Sequence, residues 1–129
     1  MYQELSKTIN EVVSFTNQHR IEAKFNIHKV GDLRSESPDE LWASFEKKAG
    51  VYVLFNIKDH NVHYVGMSEK DIGARLYGWL FKDNKVNKEL SDYDFVLTIN
   101  LSEQPYMSPA LESFLISRLS PVLNVRNAA

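Results

Sequence analysis

The chain has 129 residues, of which 43% are hydrophobic and 25% are charged, and its formal net charge is −2 at pH 7. These totals predict one folded domain and exclude an intrinsically disordered chain. The absence of cysteine excludes a disulfide framework and a thiolate metal site. The mildly acidic balance argues against tight non-specific binding of nucleic acid, although a local basic patch remains compatible with such binding.

The first 49 residues predict a helix–strand–helix extension that packs on the same core as the rest of the chain. Helical spacing runs from position 2 to about 18, with one face formed by Leu5, Ile9, Val12, Val13 and Thr16. Residues 21–28 alternate, which predicts a half-buried strand whose apolar side is Ile21, Ala23, Phe25 and Ile27. After a polar connector over residues 30–37, a helix start is predicted by Ser37, Pro38 and Glu40. This helix buries Leu41, Trp42 and Phe45, and it ends near Lys48, before Gly50.

The order predicted for residues 50–129 is β-β-α-β-α. Strands 51–57 and 62–67 form a hairpin around residues 59–61, and a helix (70–81), a polar loop (82–88) and a strand (93–101) follow. Ser108 as N-cap and Pro109 begin a last helix that reaches about Leu119, and Pro121 prevents its extension. Residues 122–124 suit a short strand or an ordered loop. The predicted class is α/β (α+β sandwich-like), with a small central sheet flanked by helices and an N-terminal helix–strand extension.

The sequence also predicts where the protein resides. The N-terminus lacks the apolar run of a signal peptide, and no stretch approaches the ~20 apolar residues of a membrane span. We therefore expect a soluble, cytoplasmic protein without a membrane partner.

Two charged residues lie beside apolar helix stripes. Glu112 borders Leu111, Leu115, Ile116 and Leu119, where a carboxylate is costly to desolvate unless a partner such as a divalent cation compensates. From position alone, electrostatics at the helix N-terminus is the favoured explanation. Arg75 lies near the core side of its helix, where its guanidinium can grip a phosphate, pair with an acid or stack on Trp79.

Two tyrosines lie on the adjacent hairpin strands. Strand alternation predicts that Tyr52 shares a face with Leu54, and that Tyr64 shares a face with Val62 and Gly66. Cross-strand packing is the ordinary explanation of such tyrosines.

The order Gly50-Val51-Tyr52, Tyr64-Val65-Gly66, Arg75, Glu112 and Asn124 resembles the GIY-YIG nuclease superfamily over residues 50–124, with Val for Ile in both tripeptides. Each tripeptide alone arises often by chance, so the combination carries the resemblance. It implies a GIY-YIG nuclease-like domain in residues 50–129. It also implies a divalent-metal-dependent endonuclease that hydrolyses phosphodiester bonds of nucleic acid, DNA in preference to RNA.

The resemblance implies four catalytic residues. Glu112 holds one Mg²⁺ or Mn²⁺ ion, and Arg75 contacts the scissile phosphate. Tyr52 activates the attacking water, which requires a shifted pKa that Arg75 or a cation would favour. Tyr64 holds a water or a phosphate.

Two residues have supporting roles. Gly66 permits close backbone approach, and Asn124 tethers the site by backbone hydrogen bonds. A simple turn asparagine is the alternative for Asn124.

Two departures from the family pattern leave a second function open. Many members carry a lysine after Tyr-x-Gly, where Met67 stands, and others carry a histidine one turn after the arginine, where Trp79 stands. The alternative is a weak or inactive domain of this fold that binds nucleic acid, or a protein-interaction domain that docks through the N-terminal helix.

Contacts with the substrate are expected from basic residues outside the four catalytic ones. The candidates for phosphate contact are Lys70, Lys82, Lys85 and Lys88, and a solvated surface loop is the alternative. Cutting both strands would require a homodimer, repeated nicking or another domain. We expect specificity to come from residues 1–49 or from a partner protein, or to be absent.

Overall fold

Four antiparallel strands form the centre of the protein. The computed structural model describes residues 2–35 and 42–124. The strands are β1 (Lys24–Lys29), β2 (Gly50–Asn56), β3 (Asn61–Ser68) and β4 (Phe95–Asn100), in the order β1-β4-β2-β3 across the sheet. Neighbouring strands are antiparallel throughout. The protein is therefore an α+β structure with a small sheet and helices around it, as predicted.

The helices named from the described residues are α1 (Tyr2–His19), α2 (Val30–Leu33), α3 (Ile72–Phe81), α4 (Lys85–Lys88) and α5 (Ser108–Leu119). Short 3-10 turns occupy Pro105–Met107 and Val122–Asn124. The predictions of α1, α3 and α5 are confirmed to within two residues at each end. Helix α3 begins at Ile72 because the Asp71 carboxylate accepts a hydrogen bond from the Ala74 N–H at 3.1 Å and so caps the helix. None of the described helices has the length and apolar character needed to cross a bilayer.

The sheet separates two hydrophobic clusters. Alternate residues of β2 point to opposite faces, so the first cluster contains Val51, Val53 and Phe55 with residues of α1 and α5. The second contains Tyr52 and Leu54 with residues of α2 and α3. Strand β2 is buried along its whole length because it is an interior strand covered on both faces.

Strand β1 differs from its prediction in boundary and in burial. It begins at Lys24, not at position 21, and Phe25 and Ile27 are 36% and 45% exposed. Both residues pair with β4 residues of the first cluster, so they lie on the predicted face. They remain exposed because β1 is an edge strand, whereas α5 packs over β2 and β3, toward the opposite edge of the same face of the sheet.

Helix α1 is rotated slightly from its predicted orientation. Val13 is 39% exposed, whereas Phe15, which the spacing argument omitted, is buried. The ring centroid of Phe15 lies 5.2 Å from that of Phe114 on α5. Because of this contact, the side of α1 that carries Phe15 faces the core.

Tertiary contacts override three local predictions. The connector over residues 30–37 contains α2, which buries Val30 and Leu33, and the loop over residues 82–88 contains α4, which buries Val86. Ser108 does not cap α5: it lies inside the helix, and its buried hydroxyl has no hydrogen-bond partner among the described residues.

The helix predicted before β2 does not extend to Lys48 as expected. Its start at Ser37, Pro38 and Glu40 lies outside the described residues, as does Leu41. Trp42 and Phe45 are buried as predicted, but residues 43–47 form turns, and the Lys47 N–H binds the Asp71 carboxylate at 2.8 Å. Gly50 is the first residue of β2, with φ of 154°, where a side chain would overlap the Ile99 carbonyl.

Candidate functional site

Tyr52 lies at the centre of the site that the sequence predicts. It is in the interior strand β2, with 2% of its surface exposed, and it pairs with Gly66 of β3. A Cβ on Gly66 would lie 2.8 Å from Tyr52 Cε2 and closer still to Tyr52 Cζ and Oη. Gly66 therefore permits a close approach, and the group that approaches is the Tyr52 ring.

Three aromatic side chains, Tyr52, Tyr64 and Trp79, form what we call the aromatic cluster. The Trp79 indole N–H on α3 donates a hydrogen bond to Tyr52 Oη at 2.6 Å. The ring centroid of Tyr64 lies 4.9 Å from that of Trp79 and 6.4 Å from that of Tyr52. The sequence placed Trp79 one helical turn after Arg75, but it gave no indication that Trp79 would bind the Tyr52 hydroxyl.

A β-bulge in β3 decides the orientation of Tyr64. Leu54 pairs with Tyr64 and the next residue, Phe55, pairs with Val62, so His63 is an extra residue on β3. The bulge places Val62 in the first hydrophobic cluster and Tyr64 against the second. The prediction that Tyr64 shares a face with Val62 is therefore wrong.

The charged groups of the site act on one another. Glu112 on α5 is half-buried, and burial raises the pKa of its carboxyl, while the positive charge of Arg75 on α3 lowers it. Arg75 is exposed, and within residues 2–35 and 42–124 no carboxylate lies at ion-pair distance from it. Its guanidinium is therefore available to a ligand from solvent.

Burial also controls the acidity of Tyr52. Burial raises the pKa of its phenol above the ordinary value, and the hydrogen bond from Trp79 lowers it. The smaller effects come from charge: Tyr64 and Glu112 raise this pKa, and Arg75 lowers it. Tyr64 on β3, Arg75 on α3 and Glu112 on α5 thus lie near enough to Tyr52 on β2 to affect its pKa. As predicted, the charge of Arg75 acts to lower the pKa of Tyr52, but in the protein alone burial has the larger effect and the pKa is raised.

Two adjoining grooves open beside the aromatic cluster. The first, which we call the aromatic groove, has a volume of about 430 Å³ and is lined by Tyr64, Trp79, Lys85, Val86, Val122 and Leu123, with Asn84 at one end. The second, the arginine groove, has a volume of about 360 Å³, and its lining includes Arg75, Gly78, Lys82 and Asp83. Trp79 and Asn84 line both grooves, so the two share a wall.

The four lysines predicted to contact nucleic acid separate into three groups. Lys82 and Lys85 line the arginine and aromatic grooves respectively. Lys88 lies 3.9 Å from Asp83, and both side chains are largely exposed. Lys70 is exposed just before α3, at the opposite end of this ten-residue helix from Lys82, which is about 15 Å of helix.

Asn124 holds the outer edge of β3. Its Oδ1 accepts a hydrogen bond from the Val65 N–H at 2.7 Å, and its Nδ2 donates to the Val65 carbonyl at 3.0 Å. Val65 lies between Tyr64 and Gly66 on an edge strand, and Asn124 is 1% exposed. The amide thus replaces the neighbouring strand that an edge residue lacks.

The carboxylate oxygens of Glu112 are suitable ligands for a hard cation that is bound by a single protein side chain. In the part of the chain that the structure describes, no three His, Asp or Glu side chains converge as a metal-binding group. Mg²⁺ characteristically keeps several waters and binds through one or two carboxylates together with substrate phosphate oxygens. A half-buried Glu112 that is open to solvent on one side fits such a site.

No protein-family model matches the chain, and a search of curated proteins finds no match to it either.

Proposed function

We propose that the chain is a GIY-YIG-type endonuclease that hydrolyses phosphodiester bonds in nucleic acid, DNA in preference to RNA, with one Mg²⁺ or Mn²⁺ ion at Glu112. One observation carries the proposal: Tyr64, Arg75 and Glu112, from three different elements, all lie near enough to affect the pKa of Tyr52. An arginine, a carboxylate and two phenols within one site supply the charges and hydrogen bonds that phosphodiester hydrolysis requires.

In this mechanism a water molecule attacks phosphorus and loses a proton to the surrounding solvent, while the bond to the 3′ oxygen breaks and that oxygen takes up a proton from solvent to leave as a hydroxyl. Arg75 binds the non-bridging oxygens and offsets the negative charge that the five-coordinate phosphorus gains, since its exposed guanidinium has no carboxylate partner among the described residues. A cation bound at Glu112 would supply Lewis-acid stabilisation of the phosphate and of the leaving oxygen.

The tyrosines position groups in this mechanism. Tyr52 keeps its proton at neutral pH, as an ordinary tyrosine does, and burial raises its pKa further. Its hydroxyl therefore orients the attacking water by a hydrogen bond. Tyr64, on the wall of the aromatic groove, binds a water or a phosphate oxygen. Asn124 keeps the β3 edge, and hence Tyr64, in register.

Plasmid nicking tests the proposal. The purified protein is incubated with supercoiled plasmid and Mg²⁺ or Mn²⁺, beside Glu112→Gln and the control Glu103→Gln, whose side chain is exposed in the turn before α5. We expect the parent and Glu103→Gln to nick at similar rates. Glu112→Gln should be slower by about 10²–10³-fold, the usual cost of one pre-placed electrostatic contact.

Two results would count against this function. Equal nicking by Glu112→Gln and the parent would mean that another group acts there, or that a contaminant cuts. Absence of Mn²⁺ binding to the parent in the presence of an oligonucleotide, when measured by calorimetry, would remove the proposed metal site.

A second candidate is a domain of the same fold that binds nucleic acid without cutting it. The observation in its favour is that Trp79 donates its N–H to the Tyr52 hydroxyl, while burial raises the pKa of that phenol. Binding of oligonucleotides without nicking under any divalent ion would establish this candidate over the first.

A further inference from the structure

The aromatic groove is lined by aromatic rings, one of them held by a hydrogen bond, and by aliphatic side chains. The hydrogen bond to Tyr52 Oη fixes the Trp79 indole, and Tyr64 packs against it at 4.9 Å with an interplanar angle of 56°. Val122 and Leu123, from the 3-10 turn after α5, line the same groove. At about 430 Å³ the groove falls in the range of small-molecule sites, ~300–1,000 Å³.

The two grooves concentrate positive charge in a chain that is slightly acidic overall. Lys85 lines the aromatic groove, and Arg75 and Lys82 line the arginine groove. Of the described residues that line either groove, Asp83 alone carries a carboxylate, and Lys88 lies 3.9 Å from it. A groove lined by aromatic rings beside cations matches a nucleotide, whose base stacks on aromatic rings while its phosphate binds cations.

The groove offers stacking but little means of distinguishing bases. Asn84 is the amide at its end, and its Oδ1 accepts a hydrogen bond from the Asn87 N–H at 2.7 Å. Its Nδ2 donates to the Gly78 carbonyl at 2.9 Å and to the Lys82 carbonyl at 3.0 Å. Because these contacts hold the amide, we expect binding that tolerates any base sequence.

We propose that the aromatic groove binds an unpaired base of a DNA strand whose phosphates contact Lys85, Lys82 and Arg75. Bases inside a duplex are covered on both faces by their neighbours, so only an unpaired base can enter the groove and contact Trp79. The inference extends the proposed function by naming its substrate class: DNA with a single-stranded region, such as a flap or gap, beside the bond that is cut.

Tryptophan fluorescence tests entry into the groove directly. The chain contains two tryptophans, and Trp42→Phe leaves Trp79 as the single reporter. With EDTA present, which prevents metal-dependent cutting, we expect a twelve-residue oligodeoxythymidylate to quench this fluorescence saturably. A blunt duplex of the same length should bind at least about tenfold more weakly.

Fluorescence anisotropy of a labelled oligonucleotide measures how much Trp79 and Lys85 contribute to DNA affinity. Trp79→Leu should weaken binding of the single strand by about 5- to 150-fold, the effect of losing one base–aromatic stack, whereas Trp79→Phe should retain much of the affinity. The matched control is Tyr77→Leu, an aromatic side chain on the same helix that is 54% exposed and contacts Trp42 and Phe81 instead. Lys85→Ala, which leaves the core intact, should reduce the slope of log affinity against log salt by about 0.7.

Three results would overturn the inference: unchanged Trp79 fluorescence at saturation, equal affinity for single strand and duplex, or equal losses in Trp79→Leu and Tyr77→Leu. A protein that nicks plasmid but shows any of these retains the proposed function and loses this inference. Conversely, preference for unpaired DNA in EDTA by a protein that never nicks supports the inference and removes the nuclease.

Discussion

Tyr52 and Asn124 show how single buried side chains govern this site. Tyr52 is 2% exposed, and burial raises the pKa of its phenol more than the charge of Arg75 lowers it. Its hydroxyl oxygen in turn satisfies the Trp79 N–H at 2.6 Å, so the polar end of a buried ring has a partner. Asn124 similarly uses both ends of its amide on one backbone residue, Val65.

We expect Tyr52 to make the fold sensitive to alkaline pH. An unfolded tyrosine loses its proton near pH ~10, whereas native Tyr52 retains its proton to higher pH because its pKa is raised. Above pH ~10 the unfolded state therefore binds fewer protons than the native state, and the free energy of unfolding falls as pH rises.

Tyr52→Phe removes the ionisable phenol, and with it the contribution of residue 52 to the loss of stability at alkaline pH. At pH 7 the variant should be less stable than the parent by about 1 kcal/mol, since the Trp79 N–H loses its acceptor. Urea denaturation from pH 7 to 11 should show this difference shrinking above pH ~10. A difference that stays constant over the range would mean that Tyr52 does not titrate differently in the two states.

Asn124→Ala should destabilise the protein by about 2–4 kcal/mol, because it leaves the N–H and the carbonyl of Val65 without partners in a buried place. Urea denaturation measures the loss, and hydrogen exchange should show a faster Val65 amide. Asn17→Ala, at an exposed position of α1, is the control and should change stability by less than about 0.5 kcal/mol. Parent-like protection of the Val65 amide in Asn124→Ala would contradict the role of the amide.

At the scale of elements, α3 and the bulge in β3 select the side chains that surround Tyr52. Arg75 and Trp79 are one turn apart on α3 and therefore lie along one side of the helix, while Leu76 and Leu80 are buried in the core. The extra residue His63 brings Tyr64 onto the face that α3 covers. Without the bulge, the period of two would put Tyr64 on the face that contains Val62.

Two glycines provide a matched test of packing between these elements. Gly66→Ala would force its Cβ into the Tyr52 ring, and we expect a loss of about 1–3 kcal/mol together with displacement of that ring. Gly78→Ala adds a Cβ with nothing within 4 Å inside α3, so we expect a gain of about 0.5–1 kcal/mol from helix propensity. Thermal unfolding measures both changes, and effects of the same sign would show that the ring of Tyr52 yields easily.

At the scale of the whole molecule, the N-terminal segment shares the central core. Val12 and Phe15 of α1 belong to the same cluster as Val53 of β2 and Leu115 of α5. Strand β1 pairs with β4 over six residues and completes the sheet. Stability therefore depends jointly on the segment before β2 and on the elements that carry the site.

Phe15→Ala tests this dependence. Truncating a buried phenylalanine typically costs 3–5 kcal/mol, which is a large part of the ~5–15 kcal/mol that stabilises a domain. We expect cooperative urea unfolding at a much lower midpoint, and faster loss of any nicking activity on warming. Val13→Ala, two residues earlier and 39% exposed, should change the midpoint little. Equal effects of the two substitutions would mean that α1 is not part of the core.

Elements with local signals were predictable from the amino-acid pattern. Helices α1, α3 and α5 follow from apolar spacing, the hairpin of β2 and β3 from its turn residues, and the burial of Trp42 and Phe45 from their pattern. The resemblance over residues 50–124 implied a common site, and the effects of Arg75 and Glu112 on the pKa of Tyr52 are consistent with it.

The contacts between those elements could be seen only in the three-dimensional structure. The Trp79–Tyr52 hydrogen bond joins residues 27 apart in sequence, and the Asn124–Val65 contacts join residues 59 apart. The bulge at His63, the exposure of Phe25 and Ile27 on an edge strand, and the raised pKa of Tyr52 all depend on what packs against each group. Periodicity is set by neighbours along the chain, whereas burial, register and acidity are set by neighbours in space, which a local pattern does not specify.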